Sequence, residues 1–167
     1  MLLNLVDYTD PILRKPTRPI MSDEINNFID IVSNMFNLLD TIGGIGLSAP
    51  QIGIDRSLFI INIDGERKTF INPQIIHVSD TISSEIEGCL SLQGLSLKIS
   101  RPTNITVTWL NEDNISQLAD LEALWARCWL HEYDHLQGIM IDDRVSNLVL
   151  DIARRKLAKR NKLNKRS

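Results

Sequence analysis

The sequence has only two cysteines and no long apolar run among its 167 residues. Two cysteines are too few for the disulfide framework of a small secreted protein, so we expect a reducing compartment and assign the chain to the cytoplasm. No segment approaches the roughly eighteen consecutive apolar residues that a membrane span needs, and the first residues lack the basic segment of a secretory signal. Hydrophobic residues at 43% and charged residues at 23% are typical of a globular protein.

Acidic side chains are absent from residues 154–167, which hold eight basic ones. The other 153 residues carry ten basic and twenty-one acidic side chains. A basic segment on an acidic body favours an anionic partner, although such segments often only face water. Because the length suits one domain, we interpret residues 1–167 as a single catalytic domain in which residues 154–167 form a basic helix or tail.

The apolar pattern predicts helices with strands between them. Spacings of three and four residues predict a helix capped by Ser22 that ends before Gly43, a second from about Leu118 to Gln137, and a third from Ser146 into the basic tail. Residues 10–16 contain two prolines and are expected to be extended. Strands are predicted at residues 57–63, 68–76, 95–100 and 104–110. Strands and helices do not alternate, so the predicted fold class is α+β.

Two of the three histidines, His131 and His135, flank Glu132 in the motif His-Glu-Tyr-Asp-His. Residues four apart on a helix project from one face, so both imidazoles can bind one metal ion with the glutamate beside it as a proton carrier. A catalytic site of this kind needs a third protein ligand and an open position. No glutamate or histidine follows the motif, which excludes the ligand sets of thermolysin-like proteases and metzincins.

Three residues remain as candidates for the third ligand. His77 lies in an apolar run near a strand end, where a histidine is more often structural. Cys128 lies three residues before His131 and would compete with it for space, so packing or a pocket wall suits it better. Cys89 follows a glycine between polar residues, where the backbone can approach an ion closely. Cys89 is therefore the best candidate.

Three segments in order resemble the peptide deformylase family. They are Gly-Ile-Gly-Leu-Ser-Ala-Pro-Gln at 44–51, Glu-Gly-Cys-Leu-Ser at 87–91 and His-Glu-Tyr-Asp-His at 131–135. The opening Asp-Pro-Ile-Leu-Arg at 10–14 also matches, and the resemblance covers roughly residues 5–150. It implies antiparallel β-sheets packed around a central helix that carries the His-Glu-x-x-His motif. It also implies a hydrolase of protein biosynthesis that removes the formyl group from formylmethionyl nascent peptides.

The resemblance further implies a role for each motif residue. The metal ligands would be Cys89, His131 and His135, with Fe²⁺ the usual ion in cells and Zn²⁺ or Ni²⁺ as substitutes. Glu132 would be the general acid/base in the attack of metal-bound hydroxide on the formyl carbon. The oxyanion would be held by Gln51 and the backbone N–H of Leu90. The pocket for the methionine side chain and peptide would be lined by Ile45, Gly46, Glu87, Leu124 and Cys128.

Three residues depart from the usual pattern of the family. Ser48 replaces alanine, Leu130 replaces glutamine and Gln93 stands where proline is frequent. None is a metal ligand or proton carrier, so the departures concern the pocket and the hydrogen bonds around the metal.

Two other functions remain compatible with the motif. One is a small metallopeptidase that cleaves unformylated peptides, and the other is a metal-binding or ribosome-associated module without catalysis. The basic tail is similar to the C-terminal helix with which bacterial deformylases dock on the ribosome. This similarity predicts contacts between residues 154–166 and the phosphates of ribosomal RNA, and no membrane partner is expected.

Overall fold

Antiparallel strands and a central helix form most of the computed structural model, which describes residues 3–164. The strands within this range are β1 (Gly46–Ser48), β2 (Leu58–Ile63), β3 (Glu66–Val78), β4 (Ile82–Gly88), β5 (Ser96–Pro102), β6 (Asn104–Leu110) and β7 (Ser116–Glu122). The α-helices are α1 (Ile29–Ile42), α2 (Ala123–Leu136) and α3 (Asn147–Asn164). Short 3₁₀ turns occupy Pro11–Arg14, Ile25–Phe28, Ala49–Ile52 and Ile141–Arg144. None of the helices between residues 3 and 164 combines the length and apolar character needed to cross a bilayer.

The strands form two sheets in which every pairing is antiparallel. The larger sheet has the order β1-β2-β3-β6-β7, and β4 pairs with β5 in a separate two-stranded sheet. The predicted hairpin between β2 and β3 is confirmed. Asp64 and Gly65 at its turn both have positive φ angles, 53° and 86°, as the tightest hairpin turns require. The α+β class and its antiparallel sheets are also confirmed.

Helix α2 lies between the two sheets and contacts strands of both. Its Trp129 is fully buried and meets Phe59 edge to face, with ring centroids 5.5 Å apart. Phe59 in turn stacks on Phe70 of the neighbouring strand at 4.9 Å. Because these aromatic rings bury much apolar surface, they fix α2 against the larger sheet, and with it the two motif histidines.

The structure corrects the start of the predicted second helix. Residues 118–122 belong to strand β7, which pairs with β6 through contacts such as Leu121 with Ile105. The helix begins only at Ala123, whose φ of 49° turns the chain between strand and helix. The spacing of Leu118, Leu121 and later apolar residues fits a helix as well as a strand, and pairing with β6 decides for the strand.

Two further predictions near the N-terminus were wrong. Residues 25–28 form a 3₁₀ turn, and α1 starts at Ile29 rather than after a cap at Ser22. Residues 11–14 form a 3₁₀ turn instead of an extended segment, because the Asp10 carboxylate accepts a hydrogen bond from the Ile12 amide at 2.9 Å. The predicted end of α1 is confirmed, since Gly43 adopts a left-handed conformation there.

The predicted third helix is confirmed as α3. It has no fully buried residue, but Leu150, Ala153 and Leu157 pack against a core cluster that includes Cys89. The basic residues Lys165 and Arg166 lie outside the described residues.

Candidate active site

The two motif histidines and Cys89 come together as the sequence predicted. His131 and His135 lie one turn apart on α2, with ring centroids separated by 5.1 Å, and Cys89 lies in the turn after β4. The Cys89 sulfur is 3.3 Å from His135 Nε2. One ligand atom from each of the three residues lies within 4.8 Å of the others, and residues 3–164 contain no second cluster of this kind. Two nitrogens and one sulfur at this spacing can bind one metal ion and leave a fourth position open.

The chemical state of these residues fits a bound cation. Burial lowers the pKa of His135 well below its usual value, so its ring is neutral, the form that binds metals. Burial alone would also lower the pKa of His131, but hydrogen bonds with Cys89 and Glu87 raise it to about 10. The same negative partners that hold a proton on His131 favour a metal ion at this place. A thiolate and two imidazoles form a suitable donor set for a divalent transition metal.

Glu132 lies between the two histidines and is almost completely buried, at 3% exposure. Its Oε2 atom has no hydrogen-bond partner among the described residues. Burial raises the pKa of Glu132 to about 7. A Cβ atom at Gly46 would overlap the Glu132 carboxylate, so a larger residue there would displace that carboxylate. A buried carboxylate that titrates near neutral pH can accept and return a proton.

Gln51 lies beside the cluster in the 3₁₀ turn that follows β1. Its Oε1 accepts hydrogen bonds from the Ser48 backbone N–H at 2.9 Å and the Ser48 hydroxyl at 3.0 Å. Its Nε2 donates to the Ser91 hydroxyl at 3.1 Å and to the Cys89 sulfur at 3.7 Å. Within residues 3–164, no group accepts a hydrogen bond from the Leu90 amide. The Leu90 N–H is thus available to a negative oxygen, and the Gln51 NH₂ group can become available by exchanging its long hydrogen bond to the sulfur.

The Glu87 carboxylate lies behind His131 and is the centre of a buried network of charges. It accepts a hydrogen bond from His131 Nδ1 at 3.1 Å, two from Arg101 at 2.7 and 2.9 Å, and one from Arg127 at 2.6 Å. Arg101 also donates to Asp134 at 2.9 Å. Burial alone would raise the pKa of Glu87, but the hydrogen bonds with His131 and Arg101 lower it to about 2. Glu87 is therefore ionised and orients the His131 ring.

An open cavity of about 410 Å³ lies in front of the cluster. Of the eleven residues that the sequence assigned to the site, all but the buried His135 line this cavity. Ile45 and Leu124 are about half exposed at its surface, whereas Cys128 is buried. Burial raises the pKa of the Cys128 thiol, which leaves it a neutral, weakly polar part of the wall. The predicted pocket residues on this wall are Ile45, Gly46, Glu87, Leu124 and Cys128.

Sequence reasoning missed several residues of the site. Ile86 lies at the cavity, and Arg127 lines it while binding Glu87. Arg101 donates hydrogen bonds to both Glu87 and Asp134 and does not line the cavity. Asp134 lies inside the recognised motif, which was a usable signal, but nothing in the local sequence distinguishes Arg101. His77, considered as a third ligand, is exposed on β3 and lies outside the cluster.

A cysteine, two histidines and a buried glutamate at the wall of an open cavity define the class of metal-dependent hydrolases. The family model described as Polypeptide deformylase matches residues 2–150. The chain belongs to the peptide deformylase family, which is metal-dependent, and it is an enzyme that deformylates nascent peptides.

Individual relatives agree with this assignment. A protein named peptide deformylase from Agrobacterium fabrum is 36% identical over 160 residues, which cover 93% of this chain and 94% of the relative. The crystal structure of a peptide deformylase from Synechococcus elongatus in complex with actinonin superposes with a TM-score of 0.87, at 34% identity over 93% of this chain and 86% of that one. A peptide deformylase structure from Legionella pneumophila has the same TM-score, at 32% identity over 100% and 99% of the two chains. The resemblance seen in the sequence motifs is confirmed.

Proposed function

We propose that this chain removes the formyl group of formylmethionyl peptides with Cys89, His131 and His135 as metal ligands and Glu132 as the general acid/base. One observation carries the proposal. The three ligand atoms converge within 4.8 Å at a cavity that is also lined by the buried Glu132 and the Gln51 amide. A peptidase site without a preference for formyl groups is the competing activity, and the comparisons do not favour it.

Each residue near the cluster has a defined task in this reaction. A bound divalent metal supplies Lewis acidity that makes water a nucleophile near neutral pH. Glu132 takes up the water proton and delivers it to the leaving amine, which suits a carboxylate whose burial raises its pKa to about 7. Gln51 Nε2 and the Leu90 amide donate hydrogen bonds to the negative oxygen that develops on the formyl group.

The cavity wall supports a substrate with an unbranched apolar side chain. Ile45, Gly46, Leu124 and Cys128 give this wall its apolar character, and a methionine side chain is long and flexible enough to fill it. Glu87 also lies there, but its carboxylate is engaged by His131 and two arginines. We therefore assign Glu87 the task of holding His131, in addition to its place beside the substrate.

The metal is proposed to be Fe²⁺ in cells, with Zn²⁺ or Ni²⁺ as substitutes. One thiolate and two imidazoles provide borderline-soft ligands that accommodate all three ions. Metal analysis of protein purified without oxygen tests this assignment. Zinc as the dominant ion under those conditions would contradict it.

Substitution of Glu132 by glutamine tests the mechanism. The amide keeps the shape of the side chain but cannot carry the proton, so formate release from a formyl-Met tripeptide should fall by about a hundred- to ten-thousandfold. Glu66→Gln is the matched control, because Glu66 is exposed at the start of β3 and pairs with Lys68 outside the cavity. Retained activity of Glu132→Gln would contradict the mechanism. Equal cleavage of a peptide without the formyl group would favour a metallopeptidase.

We also propose that the basic face of α3 contacts ribosomal RNA in the cytoplasm. Arg155, Lys159 and Lys162 are exposed and lie at helical spacings on one side of α3. Arg154 and Arg160 are partly engaged elsewhere, by Asp142 at 3.5 Å and by the Gly94 carbonyl at 2.7 Å. The contact of α3 with the core supports the prediction of a single domain, in which residues 154–164 of the basic segment belong to the last helix.

Neutralising that face without deleting the helix tests the ribosome proposal. A triple variant with glutamine at 155, 159 and 162 keeps the apolar contacts of α3 and removes three positive charges. Ribosome affinity should fall, and the slope of log affinity against log salt should decrease by roughly 0.7–0.9 for each RNA phosphate that α3 no longer neutralises. The control triple Lys15→Gln, Arg18→Gln and Arg67→Gln removes the same charge from residues outside α3 and the groove that it lines. An unchanged salt slope in the α3 variant would refute the contact.

A further inference from the structure

We propose that Ser48 is a positioning residue that fixes the Gln51 amide with its NH₂ group toward the reacting oxygen. The inference rests on the proposed role of Gln51 as an oxyanion donor. Ser48 is the last residue of β1 and is completely buried, while Gln51 is 1% exposed in the turn that follows. Neither side chain is held by solvent, so hydrogen bonds within the protein determine the orientation of the amide.

The oxygen end of the amide is identified by its donors. Gln51 Oε1 accepts from the Ser48 backbone N–H at 2.9 Å and from the Ser48 hydroxyl at 3.0 Å. A backbone N–H can only donate, so the atom that faces it must be the amide oxygen. The hydroxyl adds a second hydrogen bond to the same atom, which further disfavours rotation of the amide.

The nitrogen end faces the metal cluster as a consequence. Gln51 Nε2 donates to Ser91 Oγ at 3.1 Å and lies 3.7 Å from Cys89 Sγ. One of its two N–H groups donates to Ser91, and the other donates to the Cys89 sulfur in a long hydrogen bond that it can exchange for one to an oxygen beside the cysteine. If the amide were rotated, its oxygen, which carries a partial negative charge, would face the negative charge that develops on the formyl oxygen. Ser48 therefore contributes to catalysis by excluding an orientation of Gln51 that would repel the transition state.

This task predicts a particular kinetic signature. An oxyanion donor acts more strongly on the transition state than on the neutral formyl group, so weaker positioning lowers kcat and leaves KM nearly unchanged. A hydroxyl that only stabilised the 3₁₀ turn would change the unfolding temperature without this selective loss of kcat.

The test compares Ser48→Ala and Ser48→Cys with the wild-type enzyme, all loaded with zinc. Ser48→Ala should lower kcat for a formyl-Met tripeptide by about three- to tenfold, the effect of one neutral hydrogen bond, and KM should change by less than about twofold. Cysteine donates only weakly, so Ser48→Cys should show a loss of the same kind while preserving side-chain size. If Ser48→Ala does not fold, the kcat of Ser48→Cys alone tests the positioning role.

A second measurement is independent of activity. In protein labelled with ¹⁵N at its five glutamines, the Gln51 NH₂ signal is identified by its absence in Gln51→Glu. Its protons should exchange with solvent faster in the Ser48 variants. Thr69→Val is the matched control, because it removes a buried hydroxyl that donates to Glu112 at 2.6 Å outside the cavity, and it should leave kcat and the Gln51 signal unchanged.

The outcomes separate this inference from the function on which it rests. Unchanged kcat and an unchanged Gln51 signal in the folded Ser48 variants would overturn the positioning role, while normal formate release by the wild type would leave the proposed function intact. If the wild type released no formate, the proposed function would fail, and the Gln51 signal would still show whether Ser48 holds the amide.

Discussion

At the scale of single residues, Glu87 is notable because it is a buried carboxylate that carries a charge. A buried carboxylate is costly unless its charge is matched and its oxygens are hydrogen-bonded. Hydrogen bonds from Arg101, Arg127 and His131 meet this requirement. The arrangement explains why a charged side chain can lie beside an apolar cavity, and why it fixes the imidazole of His131.

Glu87→Gln should therefore weaken metal binding and stability together. The amide keeps one acceptor oxygen but cannot balance two arginines, so we expect zinc affinity to fall by about ten- to a hundredfold and the unfolding free energy to fall by about 3–5 kcal/mol. Chelator competition and urea unfolding measure the two effects. Glu66→Gln, an exposed glutamate on β3 that pairs with Lys68, is the control and should change neither. Wild-type zinc affinity in Glu87→Gln would show that His131 does not depend on this carboxylate.

At the scale of secondary-structure elements, strand β3 is irregular at Asn72. Its pairing with β6 shifts register between Ile71 and Gln74, and Asn72 has a left-handed φ of 48°. The Asn72 side chain accepts from the Ile20 amide at 2.8 Å and donates to the Ile20 carbonyl at 2.7 Å. The bulge thus ties the N-terminal segment to the sheet on which α1 and α2 pack.

Two substitutions at Asn72 separate its side-chain bonds from its backbone conformation. Asn72→Gly loses both hydrogen bonds but tolerates the left-handed φ, and should lower the unfolding free energy by about 1–2 kcal/mol. Asn72→Ala loses the bonds and is also strained, which adds about 1 kcal/mol. Urea unfolding gives both values. An alanine variant at least as stable as the glycine variant would disprove strain at this position.

The sequence predicts correctly those elements that are specified by residues within or directly beside them. The β2–β3 hairpin, α3 and the end of α1 at Gly43 each have a turn, periodicity or cap signal within a few residues. Strand β7 was wrongly predicted because Leu118 and Leu121 continue the helical spacing of α2, and only its pairing partner identifies the strand. No sequence signal marks the positive φ of Ala123, because it results from joining two elements that are packed elsewhere.

At the scale of the whole molecule, some site residues are placed by one helix, and others are placed only by the packing of segments that are distant in sequence. The spacing of His131 and His135 is fixed by helix geometry, so the approach of their two rings could be predicted from sequence. Cys89 was inferred by elimination, and its place beside them depends on where the β4–β5 sheet packs against α2. The contacts of Arg101 with Glu87 and Asp134 span 14 and 33 residues and arise only from that packing, so the sequence could not predict them.

The same geometry predicts that the metal stabilises the entire fold. Cys89 belongs to one core cluster, while the neighbours of the histidines on α2 belong to another, so a shared cation links the two. Zinc at a hundred times its dissociation constant should add about 2.7 kcal/mol, and for a chain of this size that raises the unfolding temperature by about 5–10 °C. Thermal unfolding with and without a chelator measures the shift.

Ligand variants determine whether that stabilisation comes from the proposed cluster. Cys89→Ser and His135→Ala should each lose most of the zinc-dependent shift, because removal of one ligand leaves two and weakens binding. His77→Ala is the matched histidine control, since His77 is exposed on β3, and it should retain the full shift. A shift that persisted in Cys89→Ser but disappeared in His77→Ala would place the stabilising metal elsewhere and remove the structural link between the two core clusters.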